Sequence, residues 1–152
     1  MLNLSKKTDY AILLLTHLSG VENPVSAKDV SRYYSLPYPM VANILKKLVV
    51  EGILVSARGK GGGYLLSRSA DLISLSDIIK AIEKPFYLVE CCNSETFCIV
   101  RRNCPSRAPL KKINDQIKGF FEEAKLSLII NDSKSNNLIE KSKNEVTNLS
   151  RL

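Results

Sequence analysis

The sequence predicts a mostly α-helical chain with one small β-hairpin. Three observations carry that prediction: apolar residues at helical spacing in three successive early segments, two β-prone runs flanking the Gly-rich tip RGKGGG at residues 58–63, and a long apolar repeat beginning at Pro109. Taken in chain order they give a winged helix-turn-helix domain over residues 1–84, a cysteine-rich loop over 85–108, a dimerisation helix over 109–130 and a polar tail over 131–152.

Residues 8–19 set Ala11, Leu14, Leu15 and Leu18 on one helical face, with Thr8 placed as a cap and Asp9 in the first turn, where the helix dipole favours negative charge. His17, the sole histidine, lies in this apolar run and reads as a packed side chain rather than a base or ligand. After the turn at 20–25, Ser26 followed by Asp29 forms a shortened capping box and opens a helix through Tyr34, which Ser35, Leu36 and Pro37 end. The next helix runs from Pro39 to Val50 with Val41, Ile44, Leu45 and Leu48 on one face, and Gly52 occupies the C-terminal cap. Two short helices around a tight turn form a helix-turn-helix pattern, whose geometry turns Tyr38, Met40 and Asn43 toward base edges and Lys46 and Lys47 toward phosphates. An ordinary amphipathic helix pair is the competing reading.

The segment that follows decides between them. Strands over 53–56 and 64–67 around a basic glycine tip form a hairpin directly behind the second helix, which is the wing of a winged helix, with Arg58 and Lys60 able to reach a groove or backbone. A phosphate-cradling loop is a poor fit, because no Lys-Ser/Thr pair and no helix follow the glycines. Ser74 caps a helix over 75–83 that Lys84 and Pro85 end. From Pro109, Leu110, Ile113, Ile117, Phe120 or Phe121, Ala124 and Leu128 recur at three- and four-residue steps, longer than a small domain needs for its own core and suited to a partner subunit. The tail is too sparse in apolar residues to specify a core.

The chain has 152 residues, a net charge of +7 and 45% hydrophobic residues, which fits one soluble domain with an extension. Residues 1–70 hold nine Lys/Arg against four Asp/Glu, a net of +5 that suggests a polyanionic partner. No membrane span or signal core is present, so the protein is expected in the cytoplasm with no membrane and no small-molecule substrate as partner. Catalytic triads, Walker loops and His-Glu metal motifs are absent, so an enzyme is not expected.

All four cysteines, Cys91, Cys92, Cys98 and Cys104, fall within the 17 residues 91–107. Thiols this close in a reducing compartment point to a soft metal centre or a redox site, with Arg101, Arg102 and Arg107 favouring the thiolate. Three chemistries fit: an iron-sulfur cluster, structural zinc, which lacks a Cys-x-x-Cys pair here, or a metal-free thiol switch pairing Cys92 with Cys98. A cluster carrier that does not bind DNA is the reading from another class.

The opening LSKKTDYAILLL, the wing RGKGGGYLLSR and the cysteine loop before a long helix together resemble the IscR/NsrR family of iron-sulfur winged-helix transcription regulators. LVECCNSETFCIVRRNCPSR followed by KKIN looks most like the branch that controls the SUF cluster-assembly operon, and the resemblance covers about residues 1–130. It implies a homodimer on palindromic promoter DNA, acting as a repressor of cluster-assembly or related stress genes, with residues 41–50 in the recognition helix and 58–64 in the wing. It also implies a 2Fe-2S or 4Fe-4S cluster on Cys92, Cys98 and Cys104, while a register using Cys91 fits the SUF-type regulators equally well. Where IscR-like proteins carry a histidine ligand, this chain has Arg107, whose protonated guanidinium cannot ligate. NsrR-like members supply an acidic ligand from the first helix of the opposite subunit, and Asp9 holds that position; Glu90 and the spare thiol are the other candidates.

Overall fold

Helix α1 (Lys6–Ser19) packs its apolar stripe against three later elements of the DNA-binding region, so the fold is best followed from it. The structure is a computed structural model and describes residues 4–83, 85–93 and 97–132. The buried stripe of α1 is the expected Ala11, Leu14, Leu15 and Leu18, each at most 1% exposed. The helix begins two residues earlier than expected, because Ser5 rather than Thr8 is the cap: the Ser5 hydroxyl accepts the Thr8 N–H at 3.3 Å. Thr8 is instead fully buried, and its own hydroxyl donates to the Glu83 carboxylate.

Helix α2 (Ala27–Tyr33) starts at Ser26, whose hydroxyl accepts the Asp29 N–H at 3.1 Å. His17 packs as expected, its ring 5.0 Å from that of Tyr33 and its Nδ1 3.2 Å from the Tyr34 hydroxyl. Burial of Tyr34, with Tyr33 alongside, raises the Tyr34 phenol above its usual range. The turn into helix α3 (Tyr38–Val50) is closed by Ser35 at φ +53° and by the Leu36 N–H donating to the Ser31 carbonyl at 2.9 Å. α3 buries Val41, Ile44, Leu45 and Leu48. It ends with the bonds Ile53 N–H to Leu48 carbonyl and Gly52 N–H to Val49 carbonyl, which need the left-handed φ of +69° that Gly52 supplies.

Strands β1 (Leu54–Ala57) and β2 (Gly63–Leu66) pair antiparallel with Leu54 opposite Leu66 and Ala57 opposite Gly63. Each lies one residue from its expected bounds, and β2 also pairs on its other side with Val25, exchanging bonds of 2.9 and 3.2 Å between Tyr64 and Val25. A Cβ at residue 63 would sit 2.4 Å from the Val25 backbone, so that approach needs glycine.

Helix α4 (Leu75–Ile82) opens with a full capping box: the Asp77 N–H donates to the Ser74 hydroxyl at 3.1 Å and the Ser74 N–H to the Asp77 carboxylate at 3.0 Å. Helix α5 (Arg107–Glu123) follows the cysteine loop, and residues 126–132 form α6. The single helix expected over 109–130 is therefore interrupted. Ala124 and Lys125 leave the helix to lie against the segment before α4, with the Leu75 N–H donating to the Ala124 carbonyl and the Leu126 N–H to the Ile73 carbonyl, both at 2.8 Å. Leu126 and Ile130 then enter the same core as the α1 stripe. Lys84, residues 94–96 of the cysteine loop and the part of the expected polar tail after Asp132 lie outside the described residues. No helix among the described residues is long and apolar enough to cross a membrane.

Burial pulls the Asp77 carboxyl upward, but the Ser74 hydrogen bonds and the Arg68 and Lys80 charges together outweigh it and hold it below its usual value. A carboxylate so lowered adds stability above its unfolded pKa and loses it as pH falls through the lower folded value. Acid unfolding followed by circular dichroism should show wild-type stability declining below about pH 4, with a flatter profile in Asp77→Ala. Ser74→Ala should cost about 0.5–2 kcal/mol at neutral pH in urea denaturation, the usual loss for an N-cap.

Candidate DNA interface and cysteine loop

The buried stripe of α3 sets its opposite face toward solvent, which is where DNA would meet it. Tyr38 is 53% exposed and Asn43 and Lys46 are exposed, as expected, while Met40 is half-buried and packs against the core. Val50, one turn beyond Lys46, is 82% exposed. Periodicity alone passes over it, although an apolar residue off the buried stripe is the available signal. Lys47 is exposed but committed: its ammonium donates to the Ile82 carbonyl at the end of α4 at 3.2 Å.

Behind α3 the β1–β2 tip presents Arg58 and Lys60 to solvent. Ion pairs among the described residues engage Arg68 and Lys80, which leaves Lys46, Arg58 and Lys60 without an acidic partner there. Three uncommitted cations on one helix and the adjacent tip suit a phosphate backbone.

The cysteine loop is moored to α5 near its start. Phe86 packs edge-on to Phe121 at 5.7 Å, the Leu88 N–H donates to the Asn114 side chain at 2.9 Å, and the Lys118 ammonium lies 4.3 Å from the centre of the Tyr87 ring. Asn114, 1% exposed, is a residue that sequence patterning does not single out; its signal is its position four residues after Leu110 on the inward stripe of α5. That inward stripe is Leu110, Asn114, Ile117 and Phe121, so the apolar repeat read from sequence mixes two faces. Ile113 at 44%, Phe120 at 66% and Leu128 at 57% exposure lie outside the core.

Cys91 and Cys92 sit in the short turn Glu90–Cys92, and Cys98 and Cys104 in the run leading to α5. All four are free and half-buried. Asp9 and Glu90 are exposed, and Arg107 is the first residue of α5. Among the described residues no three Cys, His, Asp or Glu side chains converge closely enough to hold a metal ion.

A helix-turn-helix with a paired basic hairpin behind it defines a winged-helix DNA-binding protein. The chain belongs to the Rrf2 family, described as iron-dependent transcriptional regulators, whose pattern matches residues 4–132. It is 25% identical over 146 residues to the HTH-type transcriptional regulator IscR of Cronobacter sakazakii, covering 95% of this chain and 90% of that one. It is 27% identical over 124 residues to NsrR of Oceanobacillus iheyensis, covering 80% and 82%. Its fold matches that of CymR, the global cysteine regulator of B. subtilis, with a TM-score of 0.67 and 26% identity over 86% of this chain and 98% of that one. The protein is thus a DNA-binding transcriptional regulator and not an enzyme.

Replacing both Arg58 and Lys60 with Ala should weaken promoter binding and reduce the slope of log affinity against log salt by about 0.9 for each phosphate no longer neutralised. Titrations at several salt concentrations check this, and an unchanged slope would show that the tip does not touch DNA.

Proposed function

We propose that this chain is a homodimeric repressor of iron-sulfur cluster assembly or related stress genes in the cytoplasm, whose hold on its promoter follows the state of an iron-sulfur cluster on the cysteine loop. The observation that carries this reading is the loop itself: four free thiols on one segment strung between α4 and α5 and moored to α5. The donor set fits a 2Fe-2S or 4Fe-4S cluster in chemistry, since half-buried, unpaired thiols are soft ligands that are neither sealed in a core nor locked in disulfides. Cys92, Cys98 and Cys104 would hold it, with Cys91 as the alternative first ligand and Asp9 of the opposite subunit as the fourth. When bound, such a cluster supplies iron–thiolate bonds that form and break with iron supply and oxidation.

The remaining steps belong to the chain. Because no three ligating side chains converge among the described residues, holding a cluster would require the loop beyond residue 88 to change shape. Tyr38, Met40, Asn43 and Lys46 would read or approach the groove, and Arg58 and Lys60 would anchor the backbone. Ile113, Phe120 and Leu128, apolar and exposed, would meet the second subunit and set the spacing of the two heads.

A metal-free thiol switch is the second reading. It is favoured by the lack of a converged ligand set among the described residues and by the match to a cysteine regulator. Arg101 and Arg102, exposed on the loop, would then favour the thiolate that oxidises.

Protein purified without oxygen should be brown, with stoichiometric iron and sulfide, and its promoter affinity should change when the cluster is removed. Colourless protein whose affinity responds to diamide would favour the thiol switch instead. Asp9→Ala should alter the visible spectrum and the cluster-dependent affinity; a variant matching wild type in both removes Asp9 as a ligand. Phe120→Lys should shift the sedimentation coefficient to that of a monomer without unfolding the chain.

A further inference from the structure

Two hydrogen-bonded ties meet at adjacent residues where α4 ends. Ile82 is the last residue of α4 and Glu83 its C-cap, and the cysteine loop follows. The carbonyls in the last turn of a helix lack intrahelical partners and carry partial negative charge. The Ile79 carbonyl is satisfied by the Glu83 N–H at 2.8 Å, and the Ile82 carbonyl receives the Lys47 ammonium from the last turn of α3. One residue on, the Glu83 carboxylate accepts the Ser5 N–H at 3.0 Å and the buried Thr8 hydroxyl. It therefore sits at the positive end of α1, on one backbone N–H that the helix leaves unpaired and one side-chain hydroxyl.

The other end of α4 is fixed. Its capping box, the Arg68–Asp77 pair at 3.4 Å and the backbone bonds to Ala124 and Leu126 hold the first turn in place. The last turn is thus the end at which a change in the loop would be felt.

We infer that this last turn is a joint through which the cysteine loop governs the DNA-reading helix, with Lys47 and Glu83 as its positioning residues. Lys47 ties α3 to Ile82, and Glu83 ties the first turn of α1 to the same point. The inference rests on the reading that promoter affinity follows the state of the loop. It gives Lys47 a role other than the phosphate contact its charge suggests, and it assigns a role to Glu83, which sequence patterning leaves as an ordinary helix-end carboxylate. A pull on the loop displaces residues 82 and 83 together; the Lys47 tie carries the displacement into α3, and the Glu83 tie carries it into α1, which packs against α3.

The test measures promoter affinity across salt concentrations for protein purified without oxygen, for the same sample after EDTA and ferricyanide, and for a diamide-treated sample. In wild type the affinities of the loop states should differ by about 5–150-fold, the usual range for coupled sites. In Lys47→Met, which keeps the aliphatic stem, that ratio should fall to near one while the salt slope stays as in wild type. Lys46→Met should do the reverse, lowering the slope by about 0.9 and keeping the ratio. Glu83→Ala should lose the ratio, and Glu83→Gln, whose amide oxygen still accepts from Ser5 and Thr8, should keep most of it. Amide exchange at Ser5 should quicken on loop treatment in wild type, an effect that a merely structural Glu83 would not produce. A Lys47→Met protein that loses slope and keeps the ratio overturns the joint and restores the phosphate contact. A wild type with the same affinity in every loop state defeats the sensing reading itself, and the joint with it.

Discussion

The short backbone exchange between Ile73–Leu75 and Ala124–Leu126 makes this chain one body rather than a DNA-binding head with a loose helix behind it. Two bonds of 2.8 Å join segments some fifty residues apart, and they do so beside the capping box that starts α4. Because Ala124 and Lys125 are spent on that pairing, helix α5 has to stop, and α6 drops Leu126 and Ile130 into the core that α1 organises. Each fully buried aliphatic side chain in that core contributes roughly 1.5–3 kcal/mol. The start of α4 is therefore tied to the C-terminal helices, while its last turn is tied to α1 and α3.

The polar surface divides along the same line. Among the described residues, cations on the outer face of α3 and on the hairpin tip have no acidic partners, which keeps them available to a polyanion without breaking ion pairs. Cations near α4 are committed instead: Arg68 to Asp77, Lys80 to Glu122 and Lys47 to a helix-end carbonyl. Position within the fold, rather than charge alone, separates side chains that bind from side chains that position.

The cysteine loop combines firm moorings with unpaired thiols. Asn114, Phe121 and Lys118 of α5 hold residues 86–88, while the thiols farther along are free and only half-buried. Such a segment can change the arrangement of its sulfurs without dissolving the core, because the side chains that anchor it belong to a helix packed against α4.

Much of this was legible in the sequence, because local rules leave local marks. The stripes of α1 and α3, the serine caps of α2 and α4, the glycine that ends α3 and the glycine-rich turn follow from spacing and backbone chemistry that act within a few residues. The helix-turn-helix with its wing, and the family to which the chain belongs, followed from those elements in their order. Pairings between distant residues left no such mark. The apolar repeat after Pro109 runs unbroken through Ala124, so periodicity did not reveal a helix interrupted by pairing with Ile73 and Leu75, or that Asn114 faces inward while Ile113 and Phe120 do not. Ser5 rather than Thr8 caps α1 because Thr8 is claimed by Glu83, and Lys47 turns from the DNA face because Ile82 offers an unpaired carbonyl. Sequence determined which elements form, since their signals are nearest-neighbour effects; the tertiary structure decided where each polar group finds its partner, since those partners lie far along the chain.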